Sequence, residues 1–424
     1  MPHAETNAGH GEGVSRAARL LVVITAFLGW LGAGLVMVLI PLAGRSANIS
    51  FLGAGHEADV GNWFSRYICA FLLGAAVGGL LFGWLGDRIG RAKAMGLSII
   101  CYSVLTGLTY FVQSPSQLVI LRFLACLGVG GMWPNGVSLA SEAWANVSRP
   151  LLAGVIGTSA NLGFMSLALV AMYQPITPEN WRWVFLIGAA PVVLGIVVLL
   201  VVPESPQWLA SARTPSIRLT HSPVAEVFRR PLLKYTMIGI CLGMIPLLGN
   251  WGGANWLVPW AGQTGGEDDP YLKAWTQWSR SGGAALGALL GGWLASRFGR
   301  RTTYFLVSLA SLLSSLFVFW TLTPGDEGFL PGVFVLGFFG TVYFGWLPLY
   351  LPELFPTRVR ATGAGVTFNF GRIMTAFGVL GAGQLMVAFD GDYARVGQVT
   401  CMIYVLGMII ICFAPDTSEC QLRE

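Results

Sequence analysis

The sequence predicts an all-α integral membrane protein with twelve transmembrane helices arranged as two similar six-helix halves. The chain of 424 residues is 54% hydrophobic and only 11% charged, whereas a soluble domain has about 25% charged residues. Twelve apolar runs approach the length of about 20 residues that a helix needs to cross a bilayer. A motif at the end of the second run returns at the end of the eighth. Together these observations predict both the helices and their duplication.

The apolar runs divide the chain in two because the longest break between them falls near its middle. This break, 204–233, is rich in Pro and Arg, which is typical of a cytoplasmic linker. We expect a cytoplasmic tail at 1–17, an N-terminal bundle at 18–203, the linker at 204–233, a C-terminal bundle at 234–414 and a second tail at 415–424. The predicted spans are 18–42, 62–86, 94–112, 116–140, 150–173, 183–203, 234–260, 272–295, 303–322, 329–352, 361–388 and 394–414.

The distribution of charge predicts the orientation of these spans. Most of the 25 Lys and Arg residues fall in the tails, the linker and alternate loops. The excess of basic residues in cytoplasmic loops therefore puts both termini inside. The segment 1–15 is polar and the apolar run after it is too long for a signal peptide, so we expect the first helix to be retained. The compact loops favour a bacterial inner membrane.

Several other functions are not supported by the sequence. The seven cysteines lack metal-ligand spacing, and no acids, metal ligands or nucleophile–base pair converge as a membrane enzyme would require. The net charge of +5 reflects topology and does not predict nucleic-acid binding. We therefore expect no catalysis, no metal and no cofactor. The expected partners are a small-molecule substrate and the lipid bilayer, coupling to an ion stays open, and we expect a monomer.

The internal repeat rests on two matches. The segment 83–91, GWLGDRIGR, matches 292–300, GWLASRFGR, at an offset of 209 residues. Glu142 with Arg149 matches Glu353 with Arg360, at an offset of 211 residues. Two matches at nearly one offset predict duplicated halves, and in transporters built from parallel repeats the substrate site lies between the halves.

These motifs carry a resemblance to a known family. The segment 83–91 resembles the loop 2–3 signature of the major facilitator superfamily. The segment 203–209, PESPQWL, is similar to the motif that closes helix 6 in sugar porters, and 352–363, PELFPTRVRATG, resembles the helix 10–11 loop of sialate and aromatic-acid carriers. The resemblance covers both halves. It implies a transporter that works by alternating access between two helical bundles.

The same motifs predict a cytoplasmic latch that closes when the carrier faces outward. Asp87 is expected to cap helix 11 or to pair with Arg358 or Arg360, while Glu142 and Glu353 pair with the arginines of the two loops. Ser296 replaces the acid in the second half, so the latch should be weaker there. Topogenic charge that only anchors the loops is the alternative. The latch candidates are Gly83, Gly86, Asp87, Arg88, Gly90, Arg91, Glu142, Arg149, Arg297, Arg300, Glu353, Arg358 and Arg360.

Charge inside the membrane is costly and therefore predicts a functional site. Arg122 and Arg372 lie within spans, whereas no Asp, Glu or His does so near mid-membrane. A cavity with arginines and no carboxylate favours an organic anion, such as a carboxylate or sugar acid. For Arg122, structural bonds to backbone carbonyls are the alternative. Arg66 and Arg280 begin spans near the outer face, where reaching the headgroups is the simplest expectation.

Neutral groups complete the predicted cavity, although any of the tryptophans can instead belong to the interfacial belt. A sugar or polyol porter is the nearest rival function, but helix 7 lacks the paired glutamines of that family. A drug exporter is less favoured because helix 5 lacks a glycine–proline signature, and a transporter-like sensor usually needs a signalling tail. The neutral candidates are Trp30, Trp133, Asn135, Asn161, Asn250, Asn255, Trp256, Gln277, Tyr343, Trp346 and Asn369.

Overall fold

A computed structural model of the chain describes residues 15–144, 149–211 and 223–417, and these residues form helices and connecting turns with no strand. Twelve long helices run through this part of the chain. They are α1 (Arg16–Leu52), α2 (Glu57–Ile89), α3 (Arg91–Phe111), α4 (Pro115–Ala143), α5 (Arg149–Tyr173), α6 (Trp183–Val201), α7 (Leu233–Gly265), α8 (Leu272–Phe298), α9 (Arg300–Thr321), α10 (Phe329–Glu353), α11 (Arg360–Ala388) and α12 (Tyr393–Ile411).

The segment between α6 and α7 contains two short helices, Pro206–Ser211 and Pro223–Val227. Residues 212–222 between them lie outside the described part of the chain, as do 1–14 and 418–424. The predicted linker and tails are therefore described only in part, and the domain boundaries stay predictions.

Eleven of the helices in the described residues are long and apolar enough to cross a membrane. The twelfth, α8, has 27 residues and is long enough, but its sequence includes Lys273, Gln277 and Arg280. A helix satisfies its own backbone hydrogen bonds, which is why apolar runs in lipid fold this way. The polar groups of α8 are buried among other helices, so that lipid does not have to solvate them.

Four of these twelve helices are interrupted within the described ranges. Pro191 breaks α6 because proline has no N–H to donate. In α7 a π-helical turn at Gly249–Gly253 is followed by a 3-10 turn at Ala254–Trp256. A 3-10 turn interrupts α10, and a turn at residues 401–402 divides α12. The break in α7 places irregular backbone at Trp251, whose ring packs on Phe71 of the first half, and turns of this kind often occur at functional sites.

The duplication seen in the sequence is also present in the packing. In the first half, a Cβ added to Gly78 of α2 would overlap the carbonyl oxygen of Leu127 on α4. In the second half, a Cβ added to Gly287 of α8 would overlap the carbonyl oxygen of Phe338 on α10. The two glycines, and likewise their two partners, are separated by the offsets of the sequence repeat. The prediction of two similar six-helix halves is confirmed.

The two ends of the bundle differ in how the halves meet. We call the end with the Gly90 and Gly299 turns the linker end, and the opposite end, with the loop at residues 53–56, the far end. Both turns need glycine, because their φ angles are 111° and 83°. One buried apolar cluster fills the first half and continues across the far end into the second half, whereas the linker end of the second half has a separate cluster.

The close approach of α2 and α4 gives a stability prediction. Gly78→Ala should lower the unfolding free energy by about 1–3 kcal/mol, because its methyl group has no room against the α4 backbone. Gly83→Ala on the same helix is the matched control, since a Cβ there meets no atom within 4 Å. The measurement is thermal unfolding in detergent. Equal midpoints for the two variants would contradict the packing described.

Candidate functional site

The middle of α2 is the point at which both halves present polar and aromatic side chains. The Phe71 ring packs against Trp251 of α7 with ring centroids 4.5 Å apart. The Arg122 guanidinium of α4 lies 5.5 Å from the centre of the same ring. Trp251 follows directly on Asn250 in the π-helical turn of α7. An aromatic contact between the halves and a cation therefore share one region, which we call the central site.

Arg122 makes structural hydrogen bonds at this position. Its side chain is 4% exposed, and its two terminal nitrogens donate to the carbonyl oxygens of Val36 at 2.6 Å and Met37 at 3.1 Å on α1. No carboxylate lies within ion-pair distance of it in the described residues. These contacts match the alternative in which Arg122 makes structural bonds to backbone carbonyls. Because it lies near Phe71, Arg122 is also at the edge of the central site.

Arg372 of α11 reaches across the seam between the halves. Its Nη1 lies 3.5 Å from the carbonyl oxygen of Ala75 on α2, one helical turn from Phe71. Its guanidinium also lies 4.8 Å from the centre of the Phe368 ring. One long hydrogen bond engages one of the five N–H donors of a guanidinium. The other donors have no acceptor among the residues that the structure describes, so they are available to a ligand.

Asn369 lies three residues before Arg372 and shares its helix face. Its amide nitrogen donates to the carbonyl oxygen of Gly365 at 3.0 Å, and its Oδ1 has no hydrogen-bond partner in the described chain. That oxygen lies 3.6 Å from a Cβ added to Gly79 of α2. An amide acceptor and a guanidinium donor thus face the same stretch of α2, which is a suitable pair for a polar organic solute.

Arg280 of α8 is a buried cation that we expected at the headgroups, and the structure corrects this. It is 8% exposed, and its Nη2 donates to Oε1 of Gln277 at 3.1 Å. Gln277 in turn donates to Ser281 at 2.7 Å. Arg280 follows Phe71 at the offset of the sequence repeat, so the two residues hold equivalent positions in their halves. That offset is the sequence signal that relates Arg280 to the position of Phe71 in the first half.

The first half also contributes a pair of tryptophans. Trp30 of α1 and Trp133 of α4 pack with ring centroids 4.9 Å apart, and Trp133 extends to within 3.4 Å of a Cβ added to Gly157 of α5. Asn161, one turn further along α5, is 8% exposed. Asn135 instead donates to the carbonyl oxygens of Phe82 and Gly131, both at 2.9 Å, and ties α2 to α4.

In the second half, the asparagines lie in the interrupted part of α7. Asn250 donates to the carbonyl oxygen of Gly340 on α10 at 2.6 Å and to that of Pro246 at 3.0 Å. Asn255 is fully buried, and neither of its amide atoms has a hydrogen-bond partner among the described residues. A buried amide without partners is unfavourable, so Asn255 is the side chain most in need of a water or ligand.

Three candidates lie elsewhere. Tyr343 is buried in the second half, where its hydroxyl is 2.8 Å from that of Ser308 and its ring packs on Tyr304. Trp346 joins the same aromatic cluster. Trp256 lies at the far end, where its indole N–H donates to the carbonyl oxygen of Gly252 at 2.7 Å and its ring packs against Phe64. The structure does not bring these three side chains to the central site.

Polar contacts join the two halves at the far end. Arg45 of α1 makes two bonds to Glu57, at 2.7 and 2.9 Å, and a third to the carbonyl oxygen of Gly262 on α7 at 3.0 Å. The Tyr393 hydroxyl of α12 donates to Glu57 at 2.7 Å. The ammonium group of Lys273 on α8 donates to the hydroxyl of the first-half residue Ser46 at 3.0 Å. We call these five side chains and the Gly262 carbonyl the far-end seal.

The linker end of the first half has its own network. Arg91 approaches Glu142 at 3.9 Å, and the Ser205 hydroxyl donates to Glu142. Glu204 accepts from the backbone N–H of Ala92 at 3.0 Å, at the positive end of α3. These residues come from the start of α3, the end of α4 and the segment after α6. The network therefore ties three chain segments of one half together.

The second half repeats this arrangement. Arg300 pairs with Glu353 at 3.1 Å, and the Thr417 hydroxyl donates to the same carboxylate at 2.5 Å. Ser205 and Thr417 are separated by nearly the same offset as the other repeated motifs, within segments that begin Pro203-Glu204-Ser205 and Pro415-Asp416-Thr417. This third match is the sequence signal that would have predicted both hydroxyls as partners of the acids.

The remaining latch candidates make contacts within the described residues that differ from the predicted pairs. Asp87 is 66% exposed and pairs with Arg91 at 2.7 Å, so the expected contact with Arg358 or Arg360 is absent from the described residues. Arg358 instead pairs with Glu226 of the segment between α6 and α7 at 2.5 Å. The other candidates either contact residues close to them in the sequence or structure or have exposed side chains. The Arg88 guanidinium stacks on the Trp84 ring, and Arg360 donates to the Phe355 carbonyl oxygen. A Cβ added to Gly86 would overlap the Asn135 amide oxygen, whereas a Cβ added to Gly83 meets no atom within 4 Å. Arg297 is exposed, and the Arg149 side chain lies outside the described part of the chain.

Comparison with known proteins identifies the class. The family model described as the Major Facilitator Superfamily matches residues 22–379, so the chain belongs to this superfamily of membrane transporters and is not an enzyme. A putative metabolite transport protein of Haemophilus influenzae is 29% identical over 81% of this chain and 84% of its own length. The cis,cis-muconate transport protein of Acinetobacter baylyi is 27% identical, with 84% and 85% covered. The chain is accordingly a transporter of small metabolites.

Solved structures agree with the fold. The inward-open conformation of the xylose transporter XylE from Escherichia coli superposes with a TM-score of 0.75, covering 95% of this chain and 98% of that one at 18% identity. At this identity the likeness shows the shared fold. It supports the assignment of twelve membrane helices, including α8.

The contacts of Arg122 predict a role in stability. Arg122→Gln should lower the unfolding free energy by about 1.5–3 kcal/mol, because it loses charge-assisted bonds to the α1 backbone. Thermal unfolding in detergent without ligand measures this loss, and Arg395→Gln, which alters an exposed pair with Asp392, is the control. An unchanged midpoint for Arg122→Gln would show that these bonds do not hold α4 to α1.

Proposed function

We propose that the protein carries a small organic anion, a carboxylate or sugar acid, bound at the central site by Arg372. The observation that carries this proposal is the guanidinium of Arg372 at the seam of the halves. It has one 3.5 Å bond to a backbone oxygen and no carboxylate partner in the described chain. A cation removed from water needs a counter-charge, and a carboxylate supplies it through charge-assisted hydrogen bonds.

Other side chains support an anion with an apolar body. Arg280 adds a second buried cation on the opposite half, again without a carboxylate partner among the described residues. The Phe71 and Trp251 rings offer apolar faces one helical turn from the Ala75 contact of Arg372, and Asn369 offers an amide oxygen to a hydroxyl group. Ligand sites commonly combine apolar walls with a few placed polar groups. A ring-containing or unsaturated acid fits this combination.

The relatives favour the same class of cargo. One is described as a cis,cis-muconate transport protein and another, from Bacillus subtilis, as a putative niacin/nicotinamide transporter. Muconate and niacin are both carboxylic acids. The alternative is a neutral sugar, which the fold shared with a xylose transporter keeps open. The arginines favour the anion, because a neutral sugar would leave their charges without partners.

We propose further that transport proceeds by alternating access, with both termini in the cytoplasm, and that the structure represents the inward-facing state. The far-end seal and the shared apolar cluster join the halves on one side. At the linker end, a Cβ added to Gly83 of α2, Gly154 of α5 or Gly365 of α11 meets no atom within 4 Å. The central site would then open to the linker end, which the positive-inside rule assigns to the cytoplasm.

A cross-link across the far end tests alternating access. A Cβ added to Gly61 of α2 lies 3.2 Å from the Cβ of Met386 on α11, near the separation of about 3.5–4.5 Å in disulfides. We expect the double variant Gly61→Cys, Met386→Cys to lose uptake into proteoliposomes when oxidised and to regain it after reduction. The single variant Gly61→Cys controls for damage by the oxidant. A fully cross-linked protein that still transports would refute an opening far end.

A ligand screen tests the nature of the cargo. Purified protein in detergent is heated with a panel of organic carboxylates and with neutral sugars. A ligand that binds only the folded state raises its stability, by about 2.7 kcal/mol at one hundred times the dissociation constant. We expect a carboxylate to raise the midpoint in the native protein and to lose this effect in Arg372→Gln.

Arg395→Gln, at an exposed site on α12, is the matched control and should keep the ligand response. The unliganded midpoint of Arg372→Gln should change little, because only one long bond is removed. Stabilisation by neutral sugars alone, unaffected by the substitution, would overturn the anion proposal in favour of a sugar porter.

A further inference from the structure

A groove distinct from the central site lies on the outer surface of the bundle. A groove of about 530 Å³ runs between α2 and α4 and is completed by Leu380 of α11. Ile120 in this groove is 59% exposed, so the groove opens away from the bundle and not into the central site. In a membrane protein, such a surface faces lipid.

The groove is apolar along most of its length and cationic at the far end. Apolar side chains at Leu73, Val119 and Phe123 line it, and Arg66 lies at its far end. Leu73 follows Arg66 by seven residues, a distance of about 10 Å along a helix. The groove therefore has a charged head and an apolar tail aligned with the direction of a lipid chain.

In the described part of the chain, Arg66 lacks an anionic partner. Its guanidinium stacks on the Trp63 ring at 4.3 Å from the centroid. In residues 15–144, 149–211 and 223–417, no carboxylate lies within ion-pair distance and no hydrogen-bond acceptor is assigned to it. Ser116, which belongs to the first turn of α4, lines the same end of the groove. The positive end of that helix dipole adds to the attraction for a negative group.

We propose that this groove binds an anionic phospholipid of the leaflet at the far end, with its phosphate on Arg66 and an acyl chain between α2 and α4. Charge complementarity selects the headgroup, and the length of the apolar groove selects a chain-bearing lipid over a free phosphate. Trp63 fits the interface between headgroup and hydrocarbon, where tryptophan is enriched. Because Leu380 comes from the other half, the lipid lies along the seam beside the far-end seal.

Native mass spectrometry of the full-length protein in detergent tests the site. The probes are phosphatidylglycerol and phosphatidylcholine with identical acyl chains. We expect the native protein to bind phosphatidylglycerol about fivefold more tightly. Arg66→Gln should remove this preference, whereas Arg395→Gln, another far-end arginine, should keep it. Ile120→Trp should weaken both lipids by filling the groove while leaving Arg66 intact.

Three results would overturn the proposal. The first is equal affinity of the native protein for the two lipids. The second is an unchanged preference in Arg66→Gln, which would locate the anionic headgroup elsewhere. The third is competition by water-soluble glycerol phosphate as strong as that by phosphatidylglycerol, which would mean that the chain does not contribute. Thermal unfolding checks that each variant is folded. If Arg66→Gln does not fold, the Ile120→Trp variant decides the question.

Discussion

The cost of placing a guanidinium inside an apolar bundle is the constraint on which much of this structure depends. The spans carry Arg122, Arg280 and Arg372, and none of the three has a carboxylate partner in the described residues. Arg122 meets the constraint through backbone oxygens of α1, so the same bonds that solvate its charge hold α4 in place. Arg372 has a single long bond of this kind. A cation that the fold leaves under-solvated is the natural anchor for an anionic cargo.

Motion between rigid halves follows from where the strong contacts lie. At the linker end, Glu142 and Glu353 each join segments of a single half, through Arg91 with Ser205 and through Arg300 with Thr417. These networks stiffen each half separately. The contacts that cross between the halves at the far end combine the polar groups of the far-end seal with aromatic packing, as in Phe64 against Trp256. Such a division lets one end open while the internal packing of each half is kept.

The sequence predicted the architecture well, because length, apolarity and repeat offsets are local properties. All twelve helices were predicted, including α8, whose Lys273 and Arg280 lower its apolarity below that of the others. The site was predicted less well. Sequence position does not say which helix face meets the seam, so Tyr343 was grouped with Asn369 although it packs in the core. Asp87 pairs with Arg91 in this structure, and the predicted contact with Arg358 or Arg360 belongs to the outward-facing state, so that contact stays a prediction. Arg280 was assigned to the headgroups because burial by neighbouring helices is not visible in one span.

The absence of an acid near the central site, as far as the described residues go, bears on how transport would be driven. Under the proposed function, the empty carrier holds the positive charge of Arg372 without compensation, and a bound carboxylate neutralises it. A net charge that moves across the membrane potential costs about 2.3 kcal/mol per 100 mV. The loaded and empty carriers therefore reorient with different dependence on voltage. During uptake against an inside-negative potential, this difference favours return of the carrier with a second anion bound.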